Sequence, residues 1–179
     1  ICHEVTSVDP VNKTVTVKNL TSGEVYSEEW DRLLLSTGAA PVVPPLPGLQ
    51  EEGVFTLRNL TDMDAILGWI EQHHVAHTTL VGGGFIGLEV MEALSERGIS
   101  VTLLEMGEQV MAPVDPEMAN FVHQVLVQNK TDLRLNTGLT AITEIPVTPA
   151  EPDATGDFAI HPDLPNHLEL TLNNGEKLV

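Results

Sequence analysis

Gly82, Gly84 and Gly87 carry the spacing with the clearest chemical use in this chain. They lie in Val81-Gly82-Gly83-Gly84-Phe85-Ile86-Gly87, which reads G-x-G-x-x-G. The spacing alone is a weak signal, but here it follows a short strand-like stretch, Thr78 to Val81. It also opens a helix-like stretch, Phe85 to Arg97, ended by Gly98. In that context each glycine has a physical task. Gly82 permits a tight turn, Gly84 lets a pyrophosphate approach the backbone, and Gly87 lets the helix pack close to the sheet. The helix N-terminus then offers unpaired N–H groups and the positive end of a dipole to phosphate. Such a site calls for a carboxylate about 20 residues further on to take the ribose hydroxyls. Glu105 ends the next strand-like run, Ser100 to Glu105, 23 positions after Gly82. Met106, Gly107, Glu108 and Gln109 follow with no Arg or Lys among them, so the pattern favours NAD(H) over NADP(H). The competing reading is a structural glycine turn with a surface glutamate.

Other constellations are poorer. His73, His74 and His77 cluster near a helix end, but no carboxylate or Cys completes a metal-ligand set, and histidines there also suit the helix dipole. Ser36 and Ser95 lack the glycine flanks of a nucleophile elbow. Glu151, Asp153 and Asp157 lack calcium-loop spacing and read as a solvated loop. Cys2, the single cysteine, reads as a partly buried thiol in a first strand. No metal site is expected.

The elements around the glycine loop divide at a proline-rich stretch. Cys2 to Val8, Lys13 to Lys18 and Val25 to Trp30 read as a three-stranded meander, with Val15 and Val17 on one face. Arg32 to Ala39 is a continuous apolar run ending in glycine and an alanine, which suits a strand buried on both faces. Pro41 to Pro47 holds four prolines in seven residues and reads as a stiff connector. Thr61 to Gln72 is then a helix, with Met63, Ile66, Leu67 and Ile70 inward and Asn59 or Thr61 as cap. Asp115-Pro116-Glu117 starts a third helix running to about Asn129, with Met118, Phe121, Val122, Val125 and Leu126 inward. Leu133 to Leu135 and Leu139 to Ile145 read as strands. Pro146 to Pro165 reads as a loop excursion. Leu168 to Leu172 pairs with Lys177 to Val179 through Asn173-Asn174-Gly175. The expected architecture is α/β: a partial domain over 1–52, then a Rossmann-like domain with a parallel sheet and a meander over 53–179.

Composition narrows the partners. Eight Lys and Arg against 26 Asp and Glu give a net charge of −18, which argues against nucleic acid and anionic membrane surfaces. Apolar residues make up 42%, enough for a core. No apolar run approaches a membrane span. A lone thiol fits a reducing compartment, so a cytoplasmic location is expected. Ile1 opens directly into strand-like sequence and Val179 follows a turn, so the chain is expected to be a piece of a longer protein.

Val81 to Glu89, together with Leu33-Leu34-Leu35-Ser36-Thr37-Gly38-Ala39, resembles the pyridine nucleotide-disulfide oxidoreductases. Thr37 to Leu49, Val54 to Asn59 and Pro113 to Met118 are similar to the coenzyme A-disulfide reductase and NADH-dependent persulfide reductase branch. The resemblance implies a flavoprotein with an FAD domain, an NAD domain and a dimerisation domain. Residues 1–52 would belong to the first and 53–179 to the second. It implies that Phe85 shields the flavin until nicotinamide displaces it, and that Glu89 bonds the nicotinamide carboxamide. Thr37 and Gly38 would lie near FAD. NAD(H) would bind these residues at Val81 to Gly87, Glu89 and Glu105. FAD's own glycine loop and the redox cysteine would lie outside, leaving no catalytic residue here and a segment inactive alone. Hydride would pass from NADH to FAD and then to a small thiol or disulfide substrate, in a homodimer built through a further domain. The alternatives are an NADH oxidase or peroxidase of the same family, or in isolation a non-catalytic nucleotide-binding module. A dehydrogenase acting directly on a small substrate would need an acid/base and a substrate domain that the residues do not offer.

Overall fold

The computed structural model describes residues 1–146 and 167–179. The chain divides into two compact units, Ile1–Ala40 and Pro41–Val179. In the first, β1 (His3–Asp9), β2 (Thr14–Asn19) and β3 (Val25–Glu29) form an antiparallel meander in sequence order. The alternation in β2 sets its faces, and Val17 is buried.

Two expectations in this unit need correction. Arg32 to Ala39 forms no strand, and Leu34 and Leu35 are 88% and 67% exposed. A strand covered on both faces needs ladder partners and side-chain cover on each side, and the described residues supply neither to this run. Cys2 is exposed rather than partly buried. It stands just before the first ladder pair, His3 with Asn19, and only its carbonyl is engaged, by the Leu20 N–H.

The second unit is built around β4 (His77–Val81), β5 (Ser100–Leu104) and β6 (Asp132–Arg134), parallel and in that order. Helix α1 (Leu60–His73) precedes β4, while α2 (Phe85–Glu96) and α3 (Pro116–Gln128) make the crossovers. The central strand β5 is buried from Val101 to Leu104, with Leu103 and Leu104 wholly inaccessible. Met91 and Leu94 of α2, Ile99, Val110 and Leu126 of α3 complete this core. Burying one such leucine is worth ~1.5–3 kcal/mol, so β5 is the best-anchored strand of the sheet.

Helix α3 corrects a face assignment. Its sequence carries two apolar stripes, and the inward one holds Ala119 and Leu126, with Val122 partly buried. Met118, Phe121 and Val125, expected inside, are 58%, 63% and 54% exposed. Ala119 at zero exposure lets the helix approach the sheet more closely than a large side chain would. In α1, Met63 likewise turns outward.

A second antiparallel sheet, β7 (Leu139–Ile145), β8 (His167–Leu172) and β9 (Lys177–Leu178), follows in sequence order. Gly175 takes φ 82° in the expected turn. The proline connector docks here: Pro47 O accepts the Ile142 N–H at 2.9 Å. Beyond Pro146, the expected loop excursion and its acidic residues lie outside the described residues.

Arg134 ties the two sheets of this unit. Its Nε meets Asp132 at 2.8 Å and its Nη1 meets Glu176 at 2.5 Å. The Arg134 hydrogen bond, then that of Asn174, holds the Glu176 carboxyl below its ordinary range. A depressed carboxyl stabilises the fold above its unfolded pKa, and the contribution is lost as pH falls through the folded value. Replacing Arg134 with Met should move the Glu176 titration upward in NMR; an unmoved midpoint contradicts the pairing.

Helix α1 begins with a reciprocal cap. Asn59 Oδ1 accepts the Asp62 N–H at 3.1 Å, while Asp62 Oδ2 accepts the N–H groups of Asn59 and Arg58. Asn59→Ala should lower stability by about 1 kcal/mol in urea unfolding, and Asn59→Gly by only a few tenths.

Candidate dinucleotide site

The candidate site lies where β4 passes into α2, at the carboxyl end of the parallel sheet. Gly82 takes φ 111°, a conformation that needs glycine, and its N–H donates to Leu104 O at 2.8 Å. Gly87 sits so close to the turn that a Cβ there would lie 2.0 Å from Gly82 O. The close neighbour of Gly87 is therefore the backbone of the turn at Gly82. Gly84 is the opposite: a Cβ there would meet nothing within 4 Å. That is the open face a ligand could approach.

Helix α2 differs from its neighbours at its start. Asn59 caps α1 with its side chain, whereas Gly84 at the N-cap of α2 has none to offer. The first turns of α1 and α3 carry Asp62 and Glu117, and that of α2 carries no acid. The N–H groups of its first turn therefore face an anion without a competing carboxylate among the first-turn residues. Val81, Phe85 and Ile86 around this end are 58%, 58% and 63% exposed. Glu89 is exposed and lies one helical turn beyond Phe85, on the same face.

Glu105 follows the last residue of β5 and is half-buried. Its Oε2 accepts the Gly83 N–H at 2.7 Å and its Oε1 accepts the Gly107 N–H at 2.7 Å. The carboxylate therefore braces the glycine loop against the turn after β5, a task the spacing did not reveal. Each oxygen keeps lone-pair capacity for a further donor such as a ribose hydroxyl.

The turn after β5 supplies residues that sequence reasoning missed. Val110 is fully buried, and a Cβ on Gly83 would lie 2.7 Å from its Cγ1. Met111 N–H donates to Gly83 O at 2.8 Å. The Val110 N–H donates to His123 Nε2 at 3.1 Å. The available signal was His123 itself, a polar residue interrupting the Ala119, Val122, Leu126 stripe.

The histidines near the end of α1 separate. His73 packs against Trp69 with ring centroids 4.0 Å apart and the planes tilted by 45°, and His77 Nε2 lies 3.0 Å from Thr102 Oγ1. Among the described residues, no group of three or more metal-binding side chains gathers.

A parallel sheet, a glycine-rich turn into an uncapped helix and an acidic strand end define a Rossmann-like α/β unit of the dinucleotide-binding class. Over residues 1–157 the chain matches the family described as pyridine nucleotide-disulphide oxidoreductase, and it belongs to that family. It is 36% identical over 146 residues to the coenzyme A disulfide reductase of Staphylococcus haemolyticus (strain JCSC1435), covering 82% of this chain and 32% of that protein. The reduced Bacillus anthracis CoADR-RHD crystal structure superposes with TM-score 0.75 at 38% identity, covering 98% of this chain and 28% of the other. The NAD-dependent persulfide reductase from A. fulgidus gives TM-score 0.75 at 27% identity, covering 98% and 29%. The chain thus spans about a third of the length of the coenzyme A disulfide reductase it matches. Among the described residues, no helix is long and apolar enough to cross a membrane.

Gly84 and Gly87 predict different outcomes. Gly84→Ala should cost no more than ~1 kcal/mol, the N-cap preference for glycine over alanine, because the added methyl meets open space. Gly87→Ala should cost ~1–3 kcal/mol or more, because its methyl meets a backbone oxygen. Equal urea midpoints for the two would contradict this geometry.

Proposed function

We propose that these residues form the NADH-binding portion of a flavoprotein oxidoreductase acting on a small disulfide or persulfide. The observation that carries this reading is the uncapped, acid-free start of α2 beside the open Gly84, with Glu105 at the adjacent strand end. Pyrophosphate binds the α2 N–H groups, and Glu105 takes the adenosine ribose. Phe85 and Glu89 serve the nicotinamide end, a role the family resemblance suggests and their shared exposed face supports. FAD, when bound to the whole protein, supplies the hydride acceptor. Electrons then reach the substrate through a cysteine outside these residues. Ile1 to roughly residue 52 contributes part of the FAD domain, and residues 53–179 the NAD domain. The whole protein is a cytoplasmic homodimer. The 36% identity to a coenzyme A disulfide reductase supports the sulfur substrate over oxygen or peroxide.

Calorimetry with NADH and NADPH tests the nucleotide assignment. NADH should bind more tightly. Glu105→Ala should weaken NADH by ~1–3 kcal/mol, the scale of a hydrogen bond to a charged group. NADPH should lose less, because its 2′-phosphate is freed from a repelling carboxylate. Loss of the brace on Gly83 and Gly107 affects both nucleotides alike, so the change in their affinity ratio reads the ribose contact. An unchanged ratio removes Glu105 from the ribose.

A further inference from the structure

We infer that His123, on α3 and outside the glycine motif, is a positioning residue for the dinucleotide loop. It acts through the turn that follows β5. The chain of contacts is short and directional. Val110 N–H donates to His123 Nε2 at 3.1 Å. The next residue, Met111, donates its own N–H to Gly83 O at 2.8 Å. The Val110 side chain, with zero exposure, fills the space beneath Gly83 so closely that no Cβ would fit there. Gly83 is thereby held from two sides, by Glu105 Oε2 on its N–H and by Met111 on its carbonyl.

The backbone of this turn does not rest in its own preferred geometry. Met111 takes φ 55°, a left-handed conformation that a non-glycine residue adopts only when its surroundings impose it. His123 is one of the groups that impose it, together with Gln109 Nε2, which donates to Val114 O at 2.8 Å. Accepting from Val110 requires a lone pair on Nε2, so the His123 ring is neutral with its proton on Nδ1. The inward stripe of α3 otherwise holds Ala119, Val122 and Leu126. A hydrocarbon at position 123 would fill the same space and leave the buried Val110 N–H without an acceptor. Glutamine, whose Oε1 reaches about as far as Nε2, would keep one.

Where this inference concerns affinity, it rests on the proposed nucleotide site; where it concerns Gly83, it stands on the contacts alone. The first test uses the unmodified chain. NMR should show the Nδ1–H tautomer and a scalar coupling between the Val110 amide nitrogen and His123 Nε2 across the hydrogen bond. A proton on Nε2, or no coupling, overturns the proposal. The second compares His123→Leu with His123→Gln by amide hydrogen exchange and NADH titration. In His123→Leu, exchange at Val110 and Met111 should rise about 5- to 10-fold, and NADH affinity should fall by a similar factor. His123→Gln should restore both. Unchanged exchange in the leucine variant overturns the proposal, as does a folded glutamine variant no better than leucine. If the unmodified chain binds no NADH, the nucleotide reading fails. The tautomer and exchange results then still decide whether His123 positions Gly83. If the leucine variant does not fold, the coupling and the glutamine variant decide.

Discussion

The carboxylate of Glu105 lies between two backbone N–H groups, those of Gly83 and Gly107, each at 2.7 Å. Both are bonds to a carboxylate; the Gly83 one is part-buried, so removing the acceptor would leave that donor without a partner, whereas the Gly107 one is exposed to water. The side chain can hold this place because its own backbone is fixed. Glu105 N–H donates to Arg134 O, and Thr137 N–H donates to Glu105 O. Those bonds depend in turn on β5, whose inaccessible leucines lock the strand into the core. Core burial, strand end, carboxylate and glycine loop thus form one sequence of dependence. A ligand contact through Glu105 would use a group that the fold has already oriented, which lowers the ordering cost of binding.

The glycines of the loop divide according to what surrounds them. Gly83 and Gly87 have no room for a methyl, the first against Val110 and the second against Gly82 O. They serve the packing of turn, helix and sheet. Gly84 faces open space, and its missing side chain benefits only something that comes from outside. Around it, Val81, Phe85, Ile86 and Met106 expose apolar surface beside the helix N-terminus. An uncapped helix start beside uncovered apolar groups, the Phe85 ring among them, suits a ligand with both phosphates and planar rings. The division sets Gly82, Gly83 and Gly87, fixed by backbone conformation or packing, apart from Gly84, where the proposed ligand would approach.

Much of this was legible in the sequence because it follows from local rules. The strand–glycine–helix order, the hairpin at Asn173-Asn174-Gly175 and the cap at Asn59 depend on residues a few positions apart. The failures share one cause: each required knowledge of a non-local partner. Leu33 to Leu35 read as a buried strand because they are apolar, yet a strand exists only where another strand pairs with it. Periodicity favoured the more apolar face of α3 with Met118, Phe121 and Val125, whereas the face that packs on the sheet holds the small, fully buried Ala119. Glu105 was found by its spacing, but its brace on Gly83 was hidden, since contacts between residues 22 positions apart leave no local pattern. His123 was hidden for the same reason.

The net charge of −18 poses the last physical question, because the proposed ligand is itself an anion. Repulsion from distant carboxylates is screened over about 8 Å at physiological salt, so most of that charge acts weakly at the site. Its main effect falls on the rate and salt dependence of encounter rather than on the bound state. The nearby groups decide the affinity, and there the arrangement changes sign. The first turn of α2 has no acid and no side-chain cap. Glu105 bonds the glycine loop directly, and two N–H groups donate to it. Those donors reduce its repulsion of a ribose without neutralising it toward a further phosphate on that ribose. With Glu108 nearby and no Lys or Arg from Met106 to Gln109, a 2′-phosphate would meet negative charge with no cation to offset it. On the proposed reading, the acidity that argues against nucleic acid at long range would serve, at short range, to distinguish one nicotinamide nucleotide from the other.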